Sequence, residues 1–258
     1  MAISIVHYLL VRDFALQGGL RPGGAILEIG EANWYGDVSK QSLIDDAHRF
    51  VSDPARRQAI LARIEAVEKL EPTAMSFEVP KIFYEIFYAP REHQAIDFHG
   101  TPIAQKLDLN MPIRLSRQFD VVMNHGTAEH VFNIGQVYRT IHEVTAPGGL
   151  MIHEGPFFGW VDHGFYTMQP TLFFDLAIFN QYLIHGLFIT EITSQVMIAI
   201  RSRDEIYELA KDKRIPENAQ LFVVMRKAAT EQPFQMPIQG YYGAGLSEKG
   251  MTAWRQLR

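Results

Sequence analysis

The stretch Asn124-His125-Gly126-Thr127-Ala128-Glu129-His130 concentrates chemistry at one point of the chain. It follows an apolar run, Phe119 to Met123, that reads as a strand covered on both faces. Imidazoles and a carboxylate crowded where a buried strand stops are the ingredients of a proton-handling site. An imidazole, with an ordinary pKa of about 6.5, accepts a proton near neutrality, and a hydroxyl or amine must lose one before it attacks. His130 and His163 are the candidate bases, and Glu129 is the candidate group that orients one of them. The quieter readings are that His130 opens a helical region and that His153 lies inside a later strand with backbone partners. His125, His130, His153, Glu154, Asp162 and His163 are also metal-ligating types. Their linear spacing matches no metal motif, so no metal is expected.

Three other strand ends carry polar residues in the same way: "ILEIGEANWYGD", "AIDFHG" and "KLDLN". A strand that stops at a glycine lets backbone approach a ligand closely. A carboxylate at the end of a strand accepts hydrogen bonds from donors on a ligand. Further on, Phe157, Phe158, Trp160, Phe165, Tyr166, Phe173 and Phe174 flank Asp162-His163-Gly164. Such rings wall an apolar pocket or fill a core; the charged pair among them fits a core poorly, because buried charges need partners.

These positions need elements to hold them. "LRPGGAILEIG" reads as turn, buried strand and glycine stop. "SDPARRQAILARIEAVEKLEP" reads as a helix, capped by Ser52 or Asp53 and ended by Pro72, with Ile60, Leu61, Ile64 and Val67 on one face. "HQAIDFHG" and "QKLDLN" are the next strands. After "FDVVMNHG" comes a helix with Asn133 at its cap, stopped by "APGG", then the strand "LMIHEGPF". "TLFFDLAIFNQY" and "RDEIYELAKD" read as helices, and "LIHGLFITEITSQ", "MIAIRS" and "AQLFVVMRKA" as strands. Strands alternating with helices predict an α/β fold with a doubly wound, mostly parallel sheet, whose ligand lies at the carboxyl ends of its strands.

Composition sets the outer bounds. The chain has 258 residues, 47% hydrophobic and 21% charged, which is ordinary for a globular protein. A net charge of −5 gives no reason for the whole surface to attract nucleic acid or anionic lipid. Without cysteine there are no disulfides, thiolate ligands or thiol nucleophiles. No apolar run reaches the length of a membrane span, and the N-terminal residues lack the basic start and cleavage pattern of a signal peptide. A cytoplasmic protein is expected.

In their order, the four strand ends, and above all "FDVVMNHGTAEHV…IHEVTAPGGLMIHE", resemble the class I S-adenosylmethionine-dependent methyltransferases. The resemblance spans roughly residues 25–156 and extends to "LFVVMRKA" as the last, antiparallel strand. It implies a seven-stranded-type Rossmann-like sheet, S-adenosylmethionine as cofactor, and methyl transfer to a small-molecule acceptor. Glu28 and Gly30 would then sit beside the methionine part of the cofactor, and Glu31 would face its ammonium. Asp97 would hold the ribose, Asp108 and Leu109 would border the adenine, and Asn124 and Gly126 would lie under the sulfonium. Two departures stand out. Ala32 replaces a glycine of the usual first loop, and Glu31 adds a charge to it. A helical insertion at about 39–90 also separates the first two strands, with Asp45 or Asp46 as a second choice for the ribose. The chain is expected to be one domain over 1–258, with a C-terminal loop and helix at about 230–258 that packs on the domain or joins two copies. The aromatic end of the insertion, "FEVPKIFYEIFYAP", is expected to be a mobile cover over the acceptor. The rival is a protein of this fold that does not methylate and binds a nucleoside-type ligand or a protein partner.

Overall fold

The computed structural model describes residues 2–243 and 246–256. The expected C-terminal segment therefore includes four positions, 244, 245, 257 and 258, outside the described residues. The chain divides into two compact units, Met1–Leu107 and Asp108–Arg258.

The first unit begins with β1 (Ala2–Ile3) and α1 (Ile5–Leu16). Ser4 caps α1, accepting a bond from the His7 N–H. β2 (Ala25–Ile29) is buried at every position and ends on Gly30, whose φ of +80° suits a residue without a Cβ. β3 (Asn33–Trp34) pairs in parallel with β1. Three helices follow: α2 (Lys40–Phe50), α3 (Pro54–Ala66) and α4 (Pro72–Phe87). The unit closes with β4 (Glu92–Ile96) and β5 (Ala104–Gln105), and β2, β4 and β5 run parallel.

The helical insertion is present, with a different use for its aromatic end. Asp53 caps α3 and Pro54 sits in its first turn, as the sequence implies. Pro72 opens α4 instead of only closing its predecessor, and α4 continues through Pro80. Proline in a helix interior forfeits a backbone bond and is normally unfavourable. Here the burial of Val79, Ile82, Phe83, Ile86 and Phe87 along one side outweighs that cost. Phe83 is wholly buried, with ring contacts to His7, Tyr8, Trp34 and Phe87. Burying one such side chain contributes about 1.5–3 kcal/mol. The segment is thus core, not a mobile cover. Asp46 is also structural: it accepts bonds from Tyr8 Oη at 2.5 Å and Arg12 Nε at 2.8 Å, tying α2 to α1.

The second unit starts with a turn at Asp108–Asn110, where a continuing strand was expected. β6 (Phe119–His125) is followed by a short 3₁₀ turn, Ala128–His130, and by α5 (Ile134–Val144). Asn133 is at the α5 cap position without capping it; its amide instead donates to the Asn110 carbonyl at 3.0 Å. β7 (Thr145–Phe158) takes up Ala146-Pro147-Gly148-Gly149 as its first residues, so the expected break is the start of the strand. Then come α6 (Pro170–Asn180), β8 (Leu183–Glu191), β9 (Val196–Ala199), α7 (Arg203–Lys211) and β10 (Ala219–Arg226). α8 (Glu248–Gln256) ends the described chain.

β6 and β7 are parallel. β10 lies between β7 and β8, antiparallel to both, so β7 and β8 run in one direction, and β9 is antiparallel to β8. The last, antiparallel strand is therefore where the resemblance placed it. The α/β class and the prevailing parallel pairing also follow the expectation. The C-terminal helix packs on α7 through Lys249–Glu208 at 3.0 Å and Ser247–Asp204 at 2.9 Å.

Candidate functional site

In the first unit, the ends of β2 and β4 lie side by side. Ile29 pairs with Ile96, and the Gly30 N–H donates to the Ile96 carbonyl at 2.8 Å. Asp97 follows directly. Its Oδ2 accepts the Glu31 N–H at 3.0 Å and its Oδ1 the His99 N–H at 2.7 Å. A carboxylate oxygen accepts about two hydrogen bonds, so each Asp97 oxygen retains one free lone pair.

Glu28 and Glu31 differ from Asp97. Glu28 Oε1 accepts the Ala32 N–H at 3.1 Å and the Tyr84 hydroxyl at 2.5 Å, while His93 Nε2 lies 2.8 Å from Oε2. Burial and the neighbouring Glu28 charge push the Tyr84 hydroxyl well above its ordinary pKa, so it donates at all working pH. Glu31 reaches Thr101, accepting from its N–H at 2.5 Å and its hydroxyl at 2.7 Å, with Lys81 Nζ 3.5 Å away. Both carboxylates have side chains only 1% exposed. Their oxygens bond within the first unit, to Ala32, Tyr84, His93 and Thr101. Tyr84, His93, Thr101 and Lys81 are the partners that sequence reasoning missed. Gly100 permits this approach: any Cβ there would stand 2.6 Å from Glu31 Oε2 and 2.7 Å from the Ala104 Cβ.

In the second unit, β6 delivers Asn124 and Gly126. Asn124 is buried, and its Oδ1 accepts the N–H groups of Thr127 at 3.3 Å and Ala128 at 3.0 Å, which turns the chain out of the strand. Gly126, at φ +71°, donates to the Glu154 carbonyl at 2.9 Å. Asp108 Oδ1 accepts the N–H and side-chain amide of Asn110, both at 2.9 Å, and these bonds hold its pKa down. Leu109 beside it is buried. His125 is buried with Nδ1 3.7 Å from Glu154 Oε2, and His153 is buried between the rings of Tyr138 and Phe173. Burial lowers the His153 pKa to about 3, so it is neutral.

Glu129, His130 and His163 come together. One ligand-type atom from each lies within 4.8 Å of the other two, and His163 Nε2 stands 3.8 Å from Glu129 Oε1. The aromatic segment reaches the 3₁₀ turn because Phe165 and Tyr166 both donate backbone N–H groups to the Glu129 carbonyl, at 2.8 and 3.3 Å. Asp162, in the left-handed region at φ +58°, turns the chain, and Gly164 permits the close approach. A Cβ on Gly164 would be 3.0 Å from the Glu129 carbonyl oxygen and 3.1 Å from His130 Nδ1. Trp160 backs His163 with ring centroids 4.9 Å apart and is itself fixed by donating to the Ala219 carbonyl at 3.0 Å.

The three groups differ in exposure. Both imidazoles are exposed, whereas Glu129 is 1% exposed and its Oε2 has no hydrogen-bond partner among the described residues. Burial, with a smaller contribution from the Glu154 charge, raises the Glu129 pKa to about 7. Partial burial and the neighbouring His163 lower that of His130. A buried carboxyl poised near neutrality beside two accessible imidazoles can hold, pass or release a proton. Of the expected aromatics, Phe157 and Phe173 are buried, whereas Phe158 and Phe165 are exposed.

No family model and no curated protein matches the chain. Among solved structures, it is similar to the N-methyltransferase NodS from Bradyrhizobium japonicum WM9 in complex with S-adenosyl-L-homocysteine, at 12% identity, covering 87% of this chain and 88% of that one, with a TM-score of 0.43. An S-adenosylmethionine-dependent methyltransferase from Mesorhizobium loti is 13% identical over 84% of this chain and 98% of that one, with a TM-score of 0.42. The [4+2]-cyclase SpnF is 13% identical over 87% and 82%, also with a TM-score of 0.42. At such identities the likeness concerns fold alone.

Proposed function

We propose that the chain is an S-adenosylmethionine-dependent methyltransferase acting on a small-molecule acceptor. The observation that carries this reading is Asp97. It is a strand-end carboxylate, locked by two backbone N–H bonds and with a lone pair left on each oxygen, which suits the paired hydroxyls of a ribose. Gly30 adds the close backbone approach such a ligand needs.

When bound, S-adenosylmethionine supplies a methyl group on a sulfonium, open to in-line displacement. The protein's share is positioning and proton removal. His163, accessible and held against Glu129, takes the proton from the acceptor hydroxyl or amine as the new bond to carbon forms, and His130 flanks it. The buried Glu129 carboxyl orients the pair. Glu28 and Glu31 serve by fixing the loop around Gly30.

One observation favours a second reading. Glu31 is spent on Thr101 and Lys81 and is not free to meet an ammonium group, which fits a protein that binds a nucleoside-type ligand without methylating anything. Calorimetric titration with S-adenosylmethionine and S-adenosylhomocysteine separates the readings. Saturable binding of both is expected. Binding of adenosine alone, with neither of the two, would establish the second reading.

A further inference from the structure

The geometry points to a binding site for a divalent first-row transition ion, of the zinc type, formed by Glu129, His130 and His163. This site stands whether or not the protein transfers methyl groups.

A carboxylate oxygen and two imidazole nitrogens form a borderline ligand set, suited to zinc, iron or nickel more than to magnesium or calcium. The three ligand-type atoms already lie within 4.8 Å of one another. Around one ion with bonds of ~2.1 Å, tetrahedral ligand atoms sit roughly 3.4 Å apart. The two imidazoles that must close that gap are both exposed. Glu129 and His130 are adjacent in one turn, and the His163 segment is bonded to the Glu129 carbonyl through Phe165 and Tyr166. His130 and His163 have ring centroids 5.0 Å apart and are tilted by 54°, so they converge without stacking.

A second observation is independent of the clustering. Glu129 is 1% exposed, yet Oε2 has no hydrogen-bond partner among the described residues. A buried carboxylate oxygen without a partner is costly, and a cation bound by the same carboxylate, through the Oε1 that lies 3.8 Å from His163 Nε2, offsets part of that cost. Because both imidazoles are exposed, an ion held here keeps one position open for water or a substrate atom, as catalytic and not structural sites do. His163 would then be a ligand in the metal-bound protein and the base in the metal-free one. The expectation of no metal rested on linear spacing, which does not register a ligand brought in by the Asp162–Gly164 turn.

The test uses the full chain without an affinity tag, stripped with a chelator. Calorimetric titration with Zn²⁺ should show one saturable site, and Co²⁺ should give the visible bands of an imidazole-bound ion. Glu129→Gln, His130→Ala and His163→Ala should each weaken Zn²⁺ binding by about 100-fold, at least as much as the loss of an outer-shell partner costs. The His130→Ala/His163→Ala pair should abolish binding while keeping the thermal midpoint, since both side chains are exposed. Absence of saturable Zn²⁺ binding by the folded wild-type chain would overturn the proposal. So would unchanged affinity in the folded double variant, which would move the ion to other histidines. Titration of that double variant with S-adenosylhomocysteine reads the cofactor site separately, so the failure of one reading is not mistaken for the failure of the other.

Discussion

Asp97 and His163 were both selected by residue type and place, and they answer to different measurements. Asp97→Ala removes the acceptor of two ribose bonds. Hydrogen bonds to a charged group are worth ~1.5–3 kcal/mol, so S-adenosylmethionine affinity should fall roughly 10- to 150-fold. Asp97→Asn, which can still accept the Glu31 N–H, should keep the loop in place and lose less. Unchanged affinity in both would move the ribose contact elsewhere, though not to Asp46, which is committed to Tyr8 and Arg12. His163→Ala should instead lower turnover by about 10²–10⁴-fold and leave cofactor affinity as it was, because proton removal belongs to the chemical step. Equal loss in turnover and in cofactor affinity would place His163 at the cofactor, against the assignment made here.

α4 is the element whose role changed most between sequence and structure. Its aromatic density was legible and its direction was not. A run such as "IFYEIFY" serves equally well as a cover facing a ligand or a helix facing a core, and the difference lies in which neighbours meet it. The ring contacts of Phe83 with His7, Tyr8 and Trp34 settle that. Phe83→Ala should therefore destabilise the protein by about 3–5 kcal/mol, read as a shift in the denaturant midpoint, as for a large core truncation. Limited proteolysis should find Ser76–Pro90 resistant with or without cofactor. Rapid cleavage there in the free protein would restore the cover. The cap of α3 at Asp53 and the end of β6 at Gly126 were readable, because local backbone chemistry sets them. Asn133 was misread as a cap because its side chain found a partner in Asn110, distant in sequence.

Across the whole molecule, two histidines buried in separate units each contribute to the response to acid. Burial lowers the pKa of His7 and of His153 to about 3, whereas an unfolded histidine titrates near 6.5. Below about pH 6.5 the unfolded chain binds protons that the folded chain refuses. Stability is therefore intact above that pH and falls as the pH drops toward 3, by at most ~1.4 kcal/mol per pH unit for each histidine. His153→Leu, which fills the space beside Tyr138 and Phe173 with an apolar group, should flatten that acid slope. Denaturant midpoints measured from pH 7 to pH 4 would show it, and an unaltered slope would mean that His153 gains a proton or a partner in the folded state.

The antiparallel last strand came from the family resemblance; the α/β class, most of the strands and helices after Ala25 and the polar strand ends were readable from residue order. They depend on local periodicity, caps and glycine stops, which neighbouring residues set. The grouping of Glu129, His130 and His163 was anticipated only as a set of candidates; their meeting depends on a turn at Asp162 and on backbone bonds to the Glu129 carbonyl. What Glu28 and Glu31 do was not readable, because Tyr84, His93 and Thr101 reach them from elements far along the chain. A carboxylate looks the same in a sequence whether it faces a ligand or a buried hydroxyl, and the free energy that distinguishes the two comes from neighbours assembled only on folding.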